Sequence, residues 1–279
     1  MTAELISGTQ IRKEILAELA EEVRKMKAKH GRGPGLVTIL VGENPASISY
    51  VTLKIKTAEE LGFHEVQDSQ PVDISEADLL ALIDKYNKDP KIDGILVQLP
   101  LPKHVDANRV LLAIDPGKDV DGIHPISLGL LLQNQPCLSA CTPRGCLELI
   151  RATGTSIEGK DVVIIGRSLI VGKPLSVMIT NENGTVTVCH SKTRDLPGVC
   201  SRADILIAAM GKPGFVGPEF VKEGAVVIDV GSNAVTDKAL IRKLFGQDPK
   251  REKEIDDTGY AWVCDVQPRV IDKASWLTP

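Results

Sequence analysis

Apolar positions along the chain fall into short continuous runs separated by stretches with helical periodicity. The opening MTAELISGTQIRKEI predicts an amphipathic helix from the start. Residues 35–42, GLVTILVG, form a short run rich in β-branched residues, and NPASISYVTLKIKTAEELGF reads as a loop and a helix, completing one βα unit. ADLLALIDKYNK predicts another helix and DGILVQ a strand over 94–98, which ends at the proline-bounded LPLP because proline cannot extend a hydrogen-bonded ladder. Residues 116–124, PGKDVDGIH, have turn chemistry and are expected outside the core. ISLGLLLQNQPCLSA reads as a connector, followed by a helix entered through Thr142 and Pro143 as N-cap and first-turn proline. The domain boundary is expected near Ser139, giving domains 1–138 and 139–279.

The pattern sharpens after Lys160. DVVIIGRSLIVGKPLSVMI predicts a buried strand, a glycine-bounded loop and a helix whose start is marked by Pro174. GTVTVCHSKT, ADILIAAMGKPGFV and GAVVIDVGSN repeat strand and loop at intervals that suit a doubly wound parallel sheet. The chain is therefore read as α/β, with an amino-terminal α/β domain and a Rossmann-like domain after it.

Composition agrees with this. Apolar residues make up 43% of the 279 positions and charged ones 25%, whereas aromatics are only 3%, so the cores are built from Val, Ile, Leu and Ala. A net charge of -4 argues against a nucleic-acid partner. The six cysteines form no CxxC pair and no zinc-like set with the histidines, so reduced thiols and no metal are expected. No apolar run reaches membrane-spanning length and no signal-peptide core opens the chain, which predicts a cytoplasmic protein with no membrane partner.

Three places carry candidate chemistry. Tyr50 and Lys54 stand four apart, which on a helix stacks a phenol over an amine; the same spacing also fits a surface lysine lying along a tyrosine. Gln98 ends a strand, where parallel sheets place their ligand crevice, and Asp119 and Asp121 either serve a ligand or cap their own turn. Gly166 and Gly172 bound a loop that resembles a phosphate-binding turn without the GxGxxG spacing. The segment after the next strand, His190 to Arg194, holds no carboxylate to repel a 2′-phosphate, and Arg167 and Ser191 could bind one, so NADP is favoured over NAD.

SYVTLKIK, DGILVQLPLP, KDVDGIHP, TPRG, GRSLIVGKP, VTVCHSKT, GKPGFV and VIDVGSN occur in an order that resembles the bifunctional methylenetetrahydrofolate dehydrogenase and methenyltetrahydrofolate cyclohydrolase family over nearly the whole chain. The resemblance implies a folate-binding amino-terminal domain, an NADP-binding Rossmann domain, a cleft between them, and a homodimer. It implies oxidation of 5,10-methylenetetrahydrofolate and hydrolysis of the methenyl product in one shared site. Lys54 matches the catalytic lysine, Tyr50 the tyrosine that stacks on the folate, Gln98 the glutamine beside the lysine, and Asp121 the pterin anchor. Leu99 and Pro100 match substrate-contacting positions, while Thr142, Gly166, Arg167, Ser168, Gly172, Ser191, Gly211 and Ser232 match the cofactor side. The sequence departs from the pattern in three places: it stops at WLTP where the family continues through a loop and a final helix, and it has Ser232 for a branched apolar residue and Cys264 for glycine. A short-chain dehydrogenase also spaces Tyr and Lys by four, but there the pair follows the dinucleotide loop. A monofunctional dehydrogenase and a non-catalytic folate or nucleotide sensor are the other readings of the same fold.

Overall fold

A computed structural model describes residues 2–278, apart from the side chains of residues 45, 46 and 49. The chain divides into two compact units: Arg12–Cys141, and the segment up to Ile11 together with everything from Thr142 onward. The elements begin with β1 (Glu4–Leu5), α1 (Gly8–His30), β2 (Gly35–Val41), α2 (Pro45–Leu61), β3 (His64–Gln70), α3 (Glu76–Lys88), β4 (Gly94–Val97), α4 (Ala107–Leu112) and α5 (Pro125–Leu132). After them come α6 (Cys141–Ala152), β5 (Asp161–Ile165), α7 (Gly172–Asn181), β6 (Thr185–Cys189), α8 (Leu196–Cys200), β7 (Ile205–Ala208) and β8 (Val226–Asp229). The remainder is β9 (Asn233–Val235), α9 (Lys238–Phe245), α10 (Pro249–Thr258), β10 (Ala261–Val263) and β11 (Trp276–Leu277).

In the first unit, β2 is the middle strand of a parallel sheet ordered β3-β2-β4. Alternation sends Val37, Ile39 and Val41 to one face, where they pack with Ile95 and Val97 of β4 and with Leu79, Ile83 and Tyr86 of α3. Helix α3 starts where Ser75 Oγ accepts the Asp78 N–H at 3.1 Å. The opposite face carries Thr38 and is covered by α2. The chain crosses from β3 on one side of β2 to β4 on the other, so the order reverses beside the carboxyl ends of β2 and β4. Gln98 follows β4 there and its N–H donates to Ile39 O at 2.9 Å.

That opposite face contains a half-buried acid. Thr38 Oγ1 donates to Glu65 Oε1 at 3.0 Å, while Glu65 Oε2 is buried without a hydrogen-bond partner. Burial pushes the Glu65 carboxyl up to about 7, with the Thr38 bond opposing and the Glu59 charge adding to the rise. Its folded-state pKa lies above its unfolded one, so its contribution to stability is full below the usual glutamate range and is lost as pH rises through about 7. With partial solvent screening the ionised form costs about 1–2 kcal/mol. Glu65→Gln should therefore stabilise the protein by about 1 kcal/mol at pH 8 and leave it unchanged at pH 4. Denaturant midpoints at the two pH values check this, and an equal effect at both would refute it.

In the second unit, six parallel strands are ordered β1-β11-β8-β7-β5-β6. Val163, Ile165, Leu206 and Val227 face one core together with Phe220 and Val270. Helix α7 lies against β5 and β6. The order reverses between β5 and β7, which again places a crevice outside those strand ends. A satellite formed by the antiparallel β9–β10 pair with α9 and α10 buries Val235, Ile241, Ala261 and Val263.

Several expectations need correction. The opening segment begins with β1, which pairs with β11 in the second unit, before α1 starts at Gly8. Residues 2–11 thus differ from the 1–138 grouping: Ala3 and Leu277 pack into the same core cluster. The turn at 116–124 is not peripheral. Asp119 is almost fully buried, because its Oδ2 accepts the His124 N–H at 2.8 Å and the Ser127 hydroxyl at 3.0 Å. The expected connector contains α5, entered through His124, whose Nδ1 accepts the Ile126 N–H, with Pro125 in the first turn. Helix α6 begins at Cys141, so Thr142 lies inside it and is not its N-cap. Among the described residues no disulfide joins the cysteines, no cluster of His, Cys, Asp or Glu could hold a metal ion, and no helix is long and apolar enough to cross a membrane.

Candidate active site

Helix α2 sets the first group of residues. Its start is fixed where Asn44 Oδ1 accepts the Ser47 N–H at 3.2 Å, and Val51 and Ala58 bury its inner side. One turn apart on this helix, Tyr50 is 59% exposed and Lys54 is half-buried, with the Lys54 ammonium 4.8 Å from the centre of the Tyr50 ring. Lys54 Nζ donates to Gln98 Oε1 at 3.4 Å. The Gln98 amide is oriented by its other end, since Nε2 donates to Leu99 O at 2.7 Å, just before the cis Leu99–Pro100 bond. Pro100 is exposed and Leu99 half-buried.

Asp121 reaches the same place by a different route. Ile95 N–H donates to Lys118 O and Ile95 bridges Asp119 in parallel, so the chain runs beside β4 toward its carboxyl end. Gly122 then turns with φ +61°, where a Cβ would collide with the Ser139 backbone. Burial pushes the Asp121 carboxyl above the ordinary aspartate range; the Lys54 charge pulls it back, and Asp119 adds to the rise. Among the described residues nothing donates a hydrogen bond to the Asp121 carboxylate. Asp119 holds the turn, whereas the Asp121 carboxylate takes no part in bonding it.

In the second unit, a cavity of about 550 Å³ lies at the carboxyl ends of β5, β6 and β7. Gly166, Arg167 and Ser168 line it from the first loop, Ser191 and Thr193 from the second, and Lys212 from the third. Gly166 has φ +141°, and a Cβ there would run into Ala209 O. A Cβ on Gly172 would meet Gly166 O, so these two glycines let the loop close tightly onto the start of α7. The spacing differs from GxGxxG, but the close approach is achieved. Ser168 Oγ accepts the N–H groups of Val171 (3.1 Å) and Gly172 (3.4 Å), fixing the loop. His190 and Thr193 tie off the second turn through the His190 N–H to Thr193 Oγ1 bond at 2.9 Å, leaving Ser191 exposed.

No aspartate or glutamate lines this cavity among the described residues, and Arg167 and Lys212 do. A backbone-lined cradle at a helix start, with cations and no carboxylate, fits a dinucleotide carrying an additional phosphate. Thr142, Gly211 and Ser232 are not among the lining residues; all three are exposed. Two further acids escaped the sequence reading. Asp265 is fully buried and takes the N–H groups of Met210, Gly211 and Lys212. Asp229 accepts from Gly231 and Val266, and burial pushes its carboxyl up to about 6. The only sequence signal for either was an isolated acid after an apolar strand.

Residues 6–121 match the family described as tetrahydrofolate dehydrogenase/cyclohydrolase, catalytic domain, and residues 140–279 its NAD(P)-binding domain. A bifunctional protein FolD from Koribacter versatilis is 50% identical over 279 residues, covering 100% of this chain and 91% of that protein. Another from Desulfosudis oleivorans is 60% identical over 244 residues, covering 85% and 80%. The Trypanosoma brucei N5,N10-methylenetetrahydrofolate dehydrogenase-cyclohydrolase (FolD), solved in complex with NADP cofactor and inhibitor, matches with a TM-score of 0.88 at 35% identity, covering 100% of this chain and 91% of that one. With both family domains matched in order and relatives this similar along its length, the chain belongs to the tetrahydrofolate dehydrogenase/cyclohydrolase family.

Proposed function

We propose that Lys54 is the proton-transferring residue, that Tyr50 and Gln98 hold it and the substrate, and that Asp121 anchors the pterin. The observation that carries this reading is the convergence of Lys54 on Gln98 Oε1 (3.4 Å) and the Tyr50 ring (4.8 Å), with Asp121 close enough to feel the lysine charge. As a member of its family the enzyme oxidises 5,10-methylenetetrahydrofolate to 5,10-methenyltetrahydrofolate with NADP and hydrolyses that product to 10-formyltetrahydrofolate.

When bound, NADP accepts the hydride that leaves the bridging carbon. The nitrogen beside that carbon stabilises the resulting cation, so the protein's task in this step is positioning. The exposed Tyr50 ring offers a face for stacking, and the Asp121 carboxylate accepts paired N–H bonds from a 2-amino-4-oxo pterin; Leu99 and Pro100 complete the substrate side in this reading. In the second step a water oxygen bonds to the methenyl carbon. Lys54 takes one proton from that oxygen and delivers it to the ring nitrogen as the carbon–nitrogen bond breaks, while the second proton of the water leaves to solvent. Gln98 keeps the amine in place throughout. An assay that follows NADPH and methenyltetrahydrofolate absorbance together tests the assignment in the variants described below.

Gly166, Arg167, Ser168, Gly172 and Ser191 would hold the cofactor, with Thr142, Gly211 and Ser232 as outer contributors. Arg167 and Ser191 face the 2′-phosphate in this reading. Arg167→Ala should weaken NADP binding about tenfold, near 1.5 kcal/mol because the side chain is solvent-exposed, and leave NAD binding unchanged. Calorimetric titration with both cofactors checks this; equal losses for the two would refute the phosphate contact. The same reading has the enzyme working in the cytoplasm as a homodimer, which sedimentation of the purified protein tests.

A further inference from the structure

We infer that Asp265 is a positioning residue for the cofactor: its buried carboxylate shapes the loop after β7 from inside the protein. The inference rests on the reading of the second-unit cavity as the NADP site. Gly211 has φ +65°, and around it Met210, Gly211 and Lys212 aim three consecutive N–H groups inward. Such a concavity of backbone donors is ordinarily a site for an external anion. Here the chain supplies the anion itself. Asp265 Oδ2 accepts from Met210 (2.8 Å) and Gly211 (2.9 Å), and Oδ1 accepts from Lys212 (2.6 Å) and Asn233 Nδ2 (3.0 Å).

The same residue is fixed from behind. Its own N–H donates to Asp229 Oδ1 at 3.2 Å, and a Cβ on Gly231 would press on its Cγ, so the segments after β7, β8 and β10 meet at one carboxylate. Two of the three residues it gathers, Met210 and Lys212, also line the cavity. Ala209, one step earlier, packs so closely on Gly166 that no side chain fits between them. A shift of this loop therefore moves a wall of the cavity and presses on the glycine turn opposite. An asparagine at 265 has one acceptor oxygen, and its NH2 group would face backbone donors, so the three-bond arrangement cannot survive.

The test uses the full chain and reads binding before turnover. Asp265→Asn should weaken NADP, titrated by calorimetry, roughly ten- to a hundredfold, a loss comparable to removing charge-assisted hydrogen bonds. Hydrogen exchange at the Met210, Gly211 and Lys212 amides should accelerate, and KM for NADP should rise while KM for methylenetetrahydrofolate and folate binding stay at wild-type values. Asn233→Ala removes one of the four donors and should give a smaller loss of about two- to fivefold in NADP affinity with the same exchange signature. It decides the matter if Asp265→Asn does not fold cooperatively. Wild-type NADP affinity and unchanged amide exchange in the folded variant would overturn the role of Asp265 alone. Wild-type protein that failed to bind NADP would overturn the cofactor reading itself and the inference with it.

Discussion

Lys54→Met should lower cyclohydrolase turnover by roughly 10²–10⁴-fold while dehydrogenase turnover falls far less, so that methenyltetrahydrofolate accumulates. The two activities ask different things of the amine. Hydride departure is helped by the substrate's own nitrogen and needs geometry, whereas ring opening needs a group that exchanges protons at the reacting centre. Methionine preserves much of the length and the packing on Tyr50 but removes the titratable group. Lys54→Arg should lose the hydrolytic step as well, since a guanidinium stays charged at neutral pH. The check is simultaneous recording of NADPH and methenyl absorbance, corrected for spontaneous hydrolysis. Wild-type hydrolysis in Lys54→Met would return the α2 pair to a lysine lying along a tyrosine.

Asp121→Ala should weaken folate binding about a hundredfold, near 3 kcal/mol, with NADP affinity within about twofold of wild type. The magnitude follows from the loss of a carboxylate that pairs with two pterin N–H groups in a partly desolvated place. Because nothing in the described protein donates to that carboxylate, the fold should tolerate its removal, unlike that of Asp119. A pH series adds a second readout. Burial holds the Asp121 carboxyl above the ordinary aspartate range, so wild-type folate affinity should decline with acidification sooner than a surface aspartate would dictate. That inflection should disappear in Asp121→Ala. Calorimetric folate titrations from pH 4 to pH 8 measure both effects, and retained folate affinity with lost NADP affinity would sink the assignment.

Five strands were legible in the sequence, because β2, β4, β5, β7 and β8 are nearly continuous apolar runs. Strands β1, β3 and β11 were not. Strand β3 reads HEVQDSQ, an edge strand with polar residues in place of a buried run, and β1 and β11 are two residues each, too short for any period to appear. Helix α10 buries no residue at all, so PKREKEIDDT has no apolar stripe from which a helix could be read. The meeting of Tyr50, Lys54 and Gln98 was foreshadowed by helix spacing and strand-end position. Which aspartate of KDVDG is structural depended on hydrogen bonds that local sequence does not encode. Asp265 was illegible for a related reason: its three backbone donors lie more than fifty residues away.

The pairing of β1 with β11 has a consequence for biosynthesis. Glu4 and Leu5 leave the ribosome well before their sheet partners Trp276 and Leu277, which come about 270 residues later. At roughly 5–20 residues per second the first strand waits some 15–50 s for its neighbour. The Arg12–Cys141 unit has every strand of its sheet once Val97 is out, so it can condense while that wait continues. The nascent chain thus carries an unpaired amino-terminal strand past a domain that is already assembling. The fold keeps that strand to two residues, Glu4 and Leu5, and one of them is charged, so it offers other nascent chains little edge on which to build a mispaired sheet.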